Sequence, residues 1–388
     1  MMLSPDKKVI SRRSLLLGAG ASAVGGGLLT LGATQSTQPD GEKEDPATSP
    51  VADLKGPEQA SITRPTTPQP HALIIVADVN TTGIWDALAT LGTKIRELVD
   101  GHHPAILPDG PGDLSVSAGV GQRILNASRH GNSLDDLLIM PTYRGDELLP
   151  DNALGGDILL SIHSSNPVDL EPVYHFLSTT LPGFSLRWSQ LGFRGPGDKG
   201  VARNPFGYHD GVTVPRSEEE LKQNVWIPSG PLKGGTICVL RSFLLDTTSF
   251  RALSPTRQDA VMGREKVSGI PLGGTQLHED ANVSAKTPTG DFVIPADSHV
   301  RAAHPSFTGS KLMLRRSYSF NRPDPDTGFP DQGLIFIAFQ NDIRTFILTQ
   351  QRLDEMDALM EFSTPVATAA FAMLPGFDEK TPLGHSLA

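Results

Sequence analysis

Apolar and polar residues form blocks whose spacing changes along the chain. From Leu15 to Ala33 no charged residue occurs, and the pair Arg12 and Arg13 stands just before this run. A basic start followed by a glycine-studded apolar stretch matches a twin-arginine export signal. The run is just long enough to span a bilayer as an anchor, but its glycines lower hydrophobicity and helix propensity and favour the signal. The signal is placed at residues 1–36, with recognition by the twin-arginine machinery and a periplasmic or extracellular destination as the expectation. Residues 37–70 are rich in Pro, Thr, Ser and charge and poor in aromatics, which predicts a disordered linker.

Regular periodicity starts at residue 71. HALIIVADV (71–79) reads as a strand, IWDALATLGTKIRELVDG (84–101) has helical spacing and a terminal glycine, and DLSVSAGVG (113–121) alternates like a half-buried strand. GDILLSIHSS (156–165) is a strand, VDLEPVYHFLSTTL a helix and FSLRWSQLGF a strand. The order β-α-β-β-α-β is that of a ferredoxin-like unit. A second round follows: strand 235–246, helix 254–265, strands 311–320 and 333–342, helix 351–362, and a final strand in ATAAFAMLPG. The predicted fold class is therefore α+β, with two ferredoxin-like domains at 71–230 and 231–388, each an antiparallel sheet with helices on its outer face.

Composition narrows the function. A chain of 388 residues with 38% hydrophobic and 20% charged residues has material for more than one core. A net charge of -10 disfavours nucleic acid as a partner. The single cysteine, Cys238, allows neither an intrachain disulfide nor a thiolate cluster, and its apolar run makes it a buried small hydrophobe. No HExxH zinc pattern, GxSxG nucleophile elbow or Walker loop occurs. The oligomeric state, a homo-oligomer included, stays open.

Four short motifs remain: GYHDG (207–211), GREKVSGIPLGG (263–274), DSHVRAAHP (297–305) and LMLRRSYSF (312–320). In this order, behind an arginine-pair leader, they resemble the dye-decolourising haem peroxidases, in the exported branch that includes deferrochelatase/peroxidases. That resemblance implies haem b between the sheet and helices of the C-terminal half. It implies reduction of hydrogen peroxide and oxidation of bulky organic reductants such as dyes and phenols. Iron release from haem, or haem binding without catalysis, are the alternatives.

The resemblance also implies roles. His299 would be the proximal iron ligand, with His304, five residues on, as the rival. Asp210 would move the peroxide proton and Arg315 would stabilise negative charge beside it. Gly207 and Gly211 would let the backbone approach a flat macrocycle. Arg264 would pair with a haem propionate, and Glu361 would hydrogen-bond the far nitrogen of His299. Trp188, Trp226, Tyr208 and Tyr318 could relay oxidising equivalents, while His209 should be a bystander, because neighbours in extended chain point apart. Val214 departs from the Asn or Gln common in the family after this loop.

Overall fold

The computed structural model describes residues 58–195, 197, 201–323, 328 and 330–388. The predicted export signal and linker residues 37–57 lie outside the described residues.

The N-terminal half contains β1 (His71–Asp78), β2 (Ser115–Val120), β3 (Ile158–Ser164) and β4 (Ser185–Phe193). These pair in the order β2-β3-β1-β4, all antiparallel. Two helices cover one face. Ile84–Val99 buries Ile84, Leu88, Leu91, Ile95 and Leu98, and Leu170–Ser178 buries Leu170, Val173 and Leu177, the three- and four-residue steps of a single stripe.

A two-stranded ribbon, β5 (Ala202–Arg203) and β6 (His209–Asp210), leads into the second half. There β7 (Thr236–Leu245), β8 (Leu314–Arg315), β9 (Tyr318–Arg322), β10 (Asp331–Gln340) and β11 (Ser363–Met373) form the sheet. Its order β9-β10-β7-β11 repeats that of the first half, so the doubled ferredoxin-like architecture is present. The predicted strand 311–320 is two short strands, Leu314–Arg315 and Tyr318–Arg322, with Arg316 and Ser317 between them. The predicted helix 351–362 begins earlier, as Arg344–Met356, and Ala358–Phe362 is a separate 3-10 turn capped by Asp357.

The two sheets are not independent. β11 pairs with β2 and β4 touches β9, so the strands form one closed circuit, with β8 added on β10. Alternation then sorts the side chains. Ala72, Ile74 and Val76 of β1 meet Cys238 and Leu240 of β7 in a core enclosed by both sheets, whereas Ile75 and Val239 face the outer helices. Both halves belong to one compact unit.

Residues 58–70 correct the linker prediction. The Gln59 amide donates to the carbonyls of Ala118 and Leu374, at 2.7 Å each, and its oxygen accepts from Ala118 N at 2.9 Å. It thereby stitches β2 to the end of β11. Ile62 is fully buried in the shared core, and Arg316 donates to the carbonyls of Ile62 (3.0 Å) and Pro65 (2.7 Å). Polar composition concealed this because the segment is held mainly through hydrogen bonds, not by an apolar stripe.

Gln59→Ala leaves buried strand-end groups unpaired and should cost about 1–3 kcal/mol, read as a lower urea midpoint with an unchanged slope. His163 supplies a second test. Its Nδ1 lies 2.9 Å from the Tyr318 hydroxyl and its Nε2 2.7 Å from Ser161 Oγ, and burial, then Arg316 and Arg194, lowers its pKa to about 3. The unfolded chain takes up a proton near pH 6.5 that the folded chain refuses. Stability must therefore fall as pH drops from about 6.5 toward 3, by up to about 1.4 kcal/mol per pH unit from this group. Denaturation midpoints of His163→Gln should show a shallower decline over that range than wild type.

Candidate active site

Helices pack on only part of the outer face of the C-terminal sheet, where Phe346 meets Phe336 and Phe250 joins Phe243 and Leu245. Phe243 and Leu245 of β7 and Leu334 and Phe336 of β10 form an apolar floor, with Phe346 and Leu353 of helix Arg344–Met356 across from it. The space between is a cavity of about 230 Å³, open to solvent at its mouth and lined mainly by apolar side chains. His209, Asp210, Gly211, Arg264, His299 and Arg315 all line it. Residues assigned by periodicity to the first domain thus share a cavity with the second half.

His299 opens the short helix His299–Ala302, whose N-cap is Ser298. Its Nδ1 is 2.6 Å from Oδ2 of Asp357, whose side chain is fully buried. The other Asp357 oxygen accepts from Leu359 N at 2.9 Å and caps the following 3-10 turn. A carboxylate accepting the Nδ1 proton leaves Nε2 with a free lone pair, the form in which imidazole binds a metal. Burial opposes the imidazolium, but the charge and hydrogen bond of Asp357 outweigh it and raise the His299 pKa. The accessible third of the side chain opens on the cavity.

The predicted partner of His299, Glu361, is exposed, and the role falls to Asp357, one turn earlier. The available signal was an Asp at the end of one helix and the start of the next turn, a capping position that fixes its carboxylate. His304 also lines the cavity, but both of its nitrogens are engaged. Nδ1 accepts from Ser306 N at 3.2 Å and Nε2 lies 3.2 Å from Asp280.

Asp210 ends β6, and its Oδ1 accepts from Gly211 N at 2.7 Å. Arg315 Nε is 3.6 Å from the same oxygen, and its Nη1 donates to the Thr213 carbonyl at 3.1 Å. The pair keeps about a quarter of each side chain accessible, so it is within reach of a small molecule in the cavity. Gly211, at φ +79°, lines the cavity as expected. Gly207 does not. It holds the ribbon turn at φ +89°, where a Cβ would come 2.8 Å from Lys266 Cε, so its glycine serves the turn and a neighbouring side chain.

Arg264 is buried. Its Nη1 donates to the carbonyls of Gly269 (2.9 Å) and Leu277 (3.2 Å), and Nη2 reaches Thr213 Oγ1 at 3.5 Å. Burial, then the nearby Arg315, lowers its pKa to about 10, against the opposing pull of Asp280 and Glu279. Among the described residues no carboxylate lies within ion-pairing distance of it. A buried cation without an acid is costly unless a ligand brings the anion. An apolar cavity with a free imidazole nitrogen and a buried guanidinium that has no carboxylate within ion-pairing distance fits a haem with its propionates.

The four aromatic relay candidates stand apart from the cavity lining. Tyr208 is buried with its hydroxyl donating to Asp259 at 2.5 Å, and Tyr318 is buried with its hydroxyl donating to the Gln69 carbonyl at 3.0 Å. Trp188 and Trp226 pack against the shared core, as does Val214.

Comparison with known proteins shows the family. Residues 201–378 match the family model described as Dyp-type peroxidase, C-terminal. A dye-decolorizing peroxidase of Thermobifida fusca is 29% identical over 100% of this chain and 99% of its own. A deferrochelatase of Yersinia pseudotuberculosis is 30% identical over 96% and 94%. Among solved structures, a DyP-type peroxidase from Cellulomonas bogoriensis superposes with a TM-score of 0.79 at 27% identity, over 87% of this chain and 98% of that one. An oxyferrous complex of DtpA from Streptomyces lividans gives 0.81 at 25%, over 88% and 98%. Fold, cavity and full-length similarity together place this chain in the DyP-type peroxidase family.

Proposed function

We propose that the chain is a haem b peroxidase that reduces hydrogen peroxide and oxidises bulky organic donors such as dyes and phenols. The observation that carries this is one cavity holding an imidazole tied to a buried carboxylate and, separately, a carboxylate beside a guanidinium. His299 would hold the iron through Nε2 and Arg264 would hold a propionate. Haem, when bound, supplies the redox chemistry by which peroxide is reduced. Asp210 accepts a proton from peroxide and returns it to the departing oxygen, held in place by Gly211 N–H. Arg315, whose guanidinium stands beside Asp210, stabilises negative charge on the oxygens. Asp357 keeps the His299 tautomer and ring orientation fixed.

A second reading, release of iron from haem with the porphyrin intact, is favoured by the deferrochelatases at 30% identity over nearly the whole chain. Excess haem with a ferrous chelator separates the two readings: chelated iron with intact porphyrin fluorescence supports release, and unchanged haem with dye turnover supports peroxidase alone. Export is proposed from Arg12 and Arg13 before the uncharged run, and R12K/R13K should retain the protein in the cytoplasm on fractionation.

Asp210→Ala and Arg315→Leu should keep the Soret band and lose dye oxidation by about 10²-fold or more. His299→Ala should lose the band and His304→Ala should keep it, as read by absorption of the reconstituted proteins. Asp357→Ala should lower haem affinity or turnover by about 10- to 100-fold.

A further inference from the structure

Side-chain alternation along β6 made His209 a bystander, yet it lines the same cavity as its neighbour Asp210. Its ring is seated against Gly269, where a Cβ would lie 2.3 Å from Nδ1 and 3.1 Å from Cγ, so the bare glycine makes the seat. Nδ1 is sealed there without a hydrogen-bond partner. A buried bare lone pair is cheaper than a buried unpaired N–H, so the proton belongs on Nε2, the nitrogen left to face the cavity. Burial, then Arg203 and Arg264, lowers the His209 pKa, which keeps the ring neutral and leaves this one donor.

The same loop carries the second half of the feature. The carbonyl of Gly269, whose α-carbon seats His209, accepts from Arg264 Nη1. Arg264 is the buried cavity cation with no carboxylate within ion-pairing distance among the described residues. Its Nη2 has a single long contact, 3.5 Å to Thr213 Oγ1. One loop thus sets a neutral N–H donor and an uncompensated guanidinium on the wall of one cavity, donors suited to the two oxygens of a carboxylate.

We propose that His209 and Arg264 form a carboxylate clamp that grips one haem propionate, with His209 as the second, specificity-giving donor. This rests on the haem reading above. The test is haem transfer from the loaded protein to excess apomyoglobin, followed in the Soret region, with protohaem and with its dimethyl ester. His209→Ala should lose protohaem roughly tenfold faster, the scale of one hydrogen bond to a charged group. His209→Gln, which keeps an N–H donor, should recover part of the difference. Wild type should lose the ester faster than protohaem, and wild type and His209→Ala should lose the ester at equal rates.

Equal loss of protohaem from wild type and His209→Ala overturns the clamp, as does an undiminished effect of the substitution on the ester, which would mark a packing role. Should the alanine variant not fold, the glutamine variant and the wild-type ester comparison decide the matter. Failure of wild type to take up any haem is a separate result, since it removes the haem reading itself.

Discussion

A β-sheet has two faces, and closure of the strand circuit spends one of them on each half at once. The inner faces bury Ile74, Val76, Cys238, Leu240 and Phe371 against each other. Stability is therefore supplied from inside, and the outer faces are free to differ. On the N-terminal half, helices Ile84–Val99 and Leu170–Ser178 pack directly onto the sheet with an unbroken apolar stripe. On the C-terminal half, the covering elements touch the sheet at Phe346 and Phe250 and leave the cavity between these contacts. One architecture, used twice, thus yields a structural half and a site-bearing half.

Adjacent residues at the break between β8 and β9 show how closely the two tasks are interleaved. Arg315 faces the cavity and ion-pairs with Asp210, while Arg316 turns into the core and donates to main-chain carbonyls. Both are guanidinium groups in a run of two, but burial lowers the pKa of Arg316 to about 10, and it meets carbonyls instead of a carboxylate. The strand's alternation, not the residue type, decides which arginine is chemical and which is structural.

That distinction also marks what was legible in the residues alone. Strands such as HALIIVADV and GDILLSIHSS announced themselves by apolar density, and the order of elements revealed the doubled unit. Closure of the two sheets into one circuit was not visible, because β11–β2 and β4–β9 contacts involve few residues and no periodic signal. The site was legible through short motifs that resemble a family; periodicity alone would have made Arg315 a solvated end of a strand. Asp357 escaped because its role depends on a chain reversal that brings residues 58 positions apart into contact. Gly207 misled for the opposite reason: a glycine required by a local turn was taken for one required by a ligand.

The insertion of Gln59 between strand ends makes the start of the described chain a working part of the closed circuit. Its amide is the thread through a seam where β2 meets β11, two strands that share only two residue pairs. A chain shortened beyond that thread would lose the join between the halves. The stretch from residue 58 onward is therefore part of the folded body and limits how far the chain can be shortened without opening it.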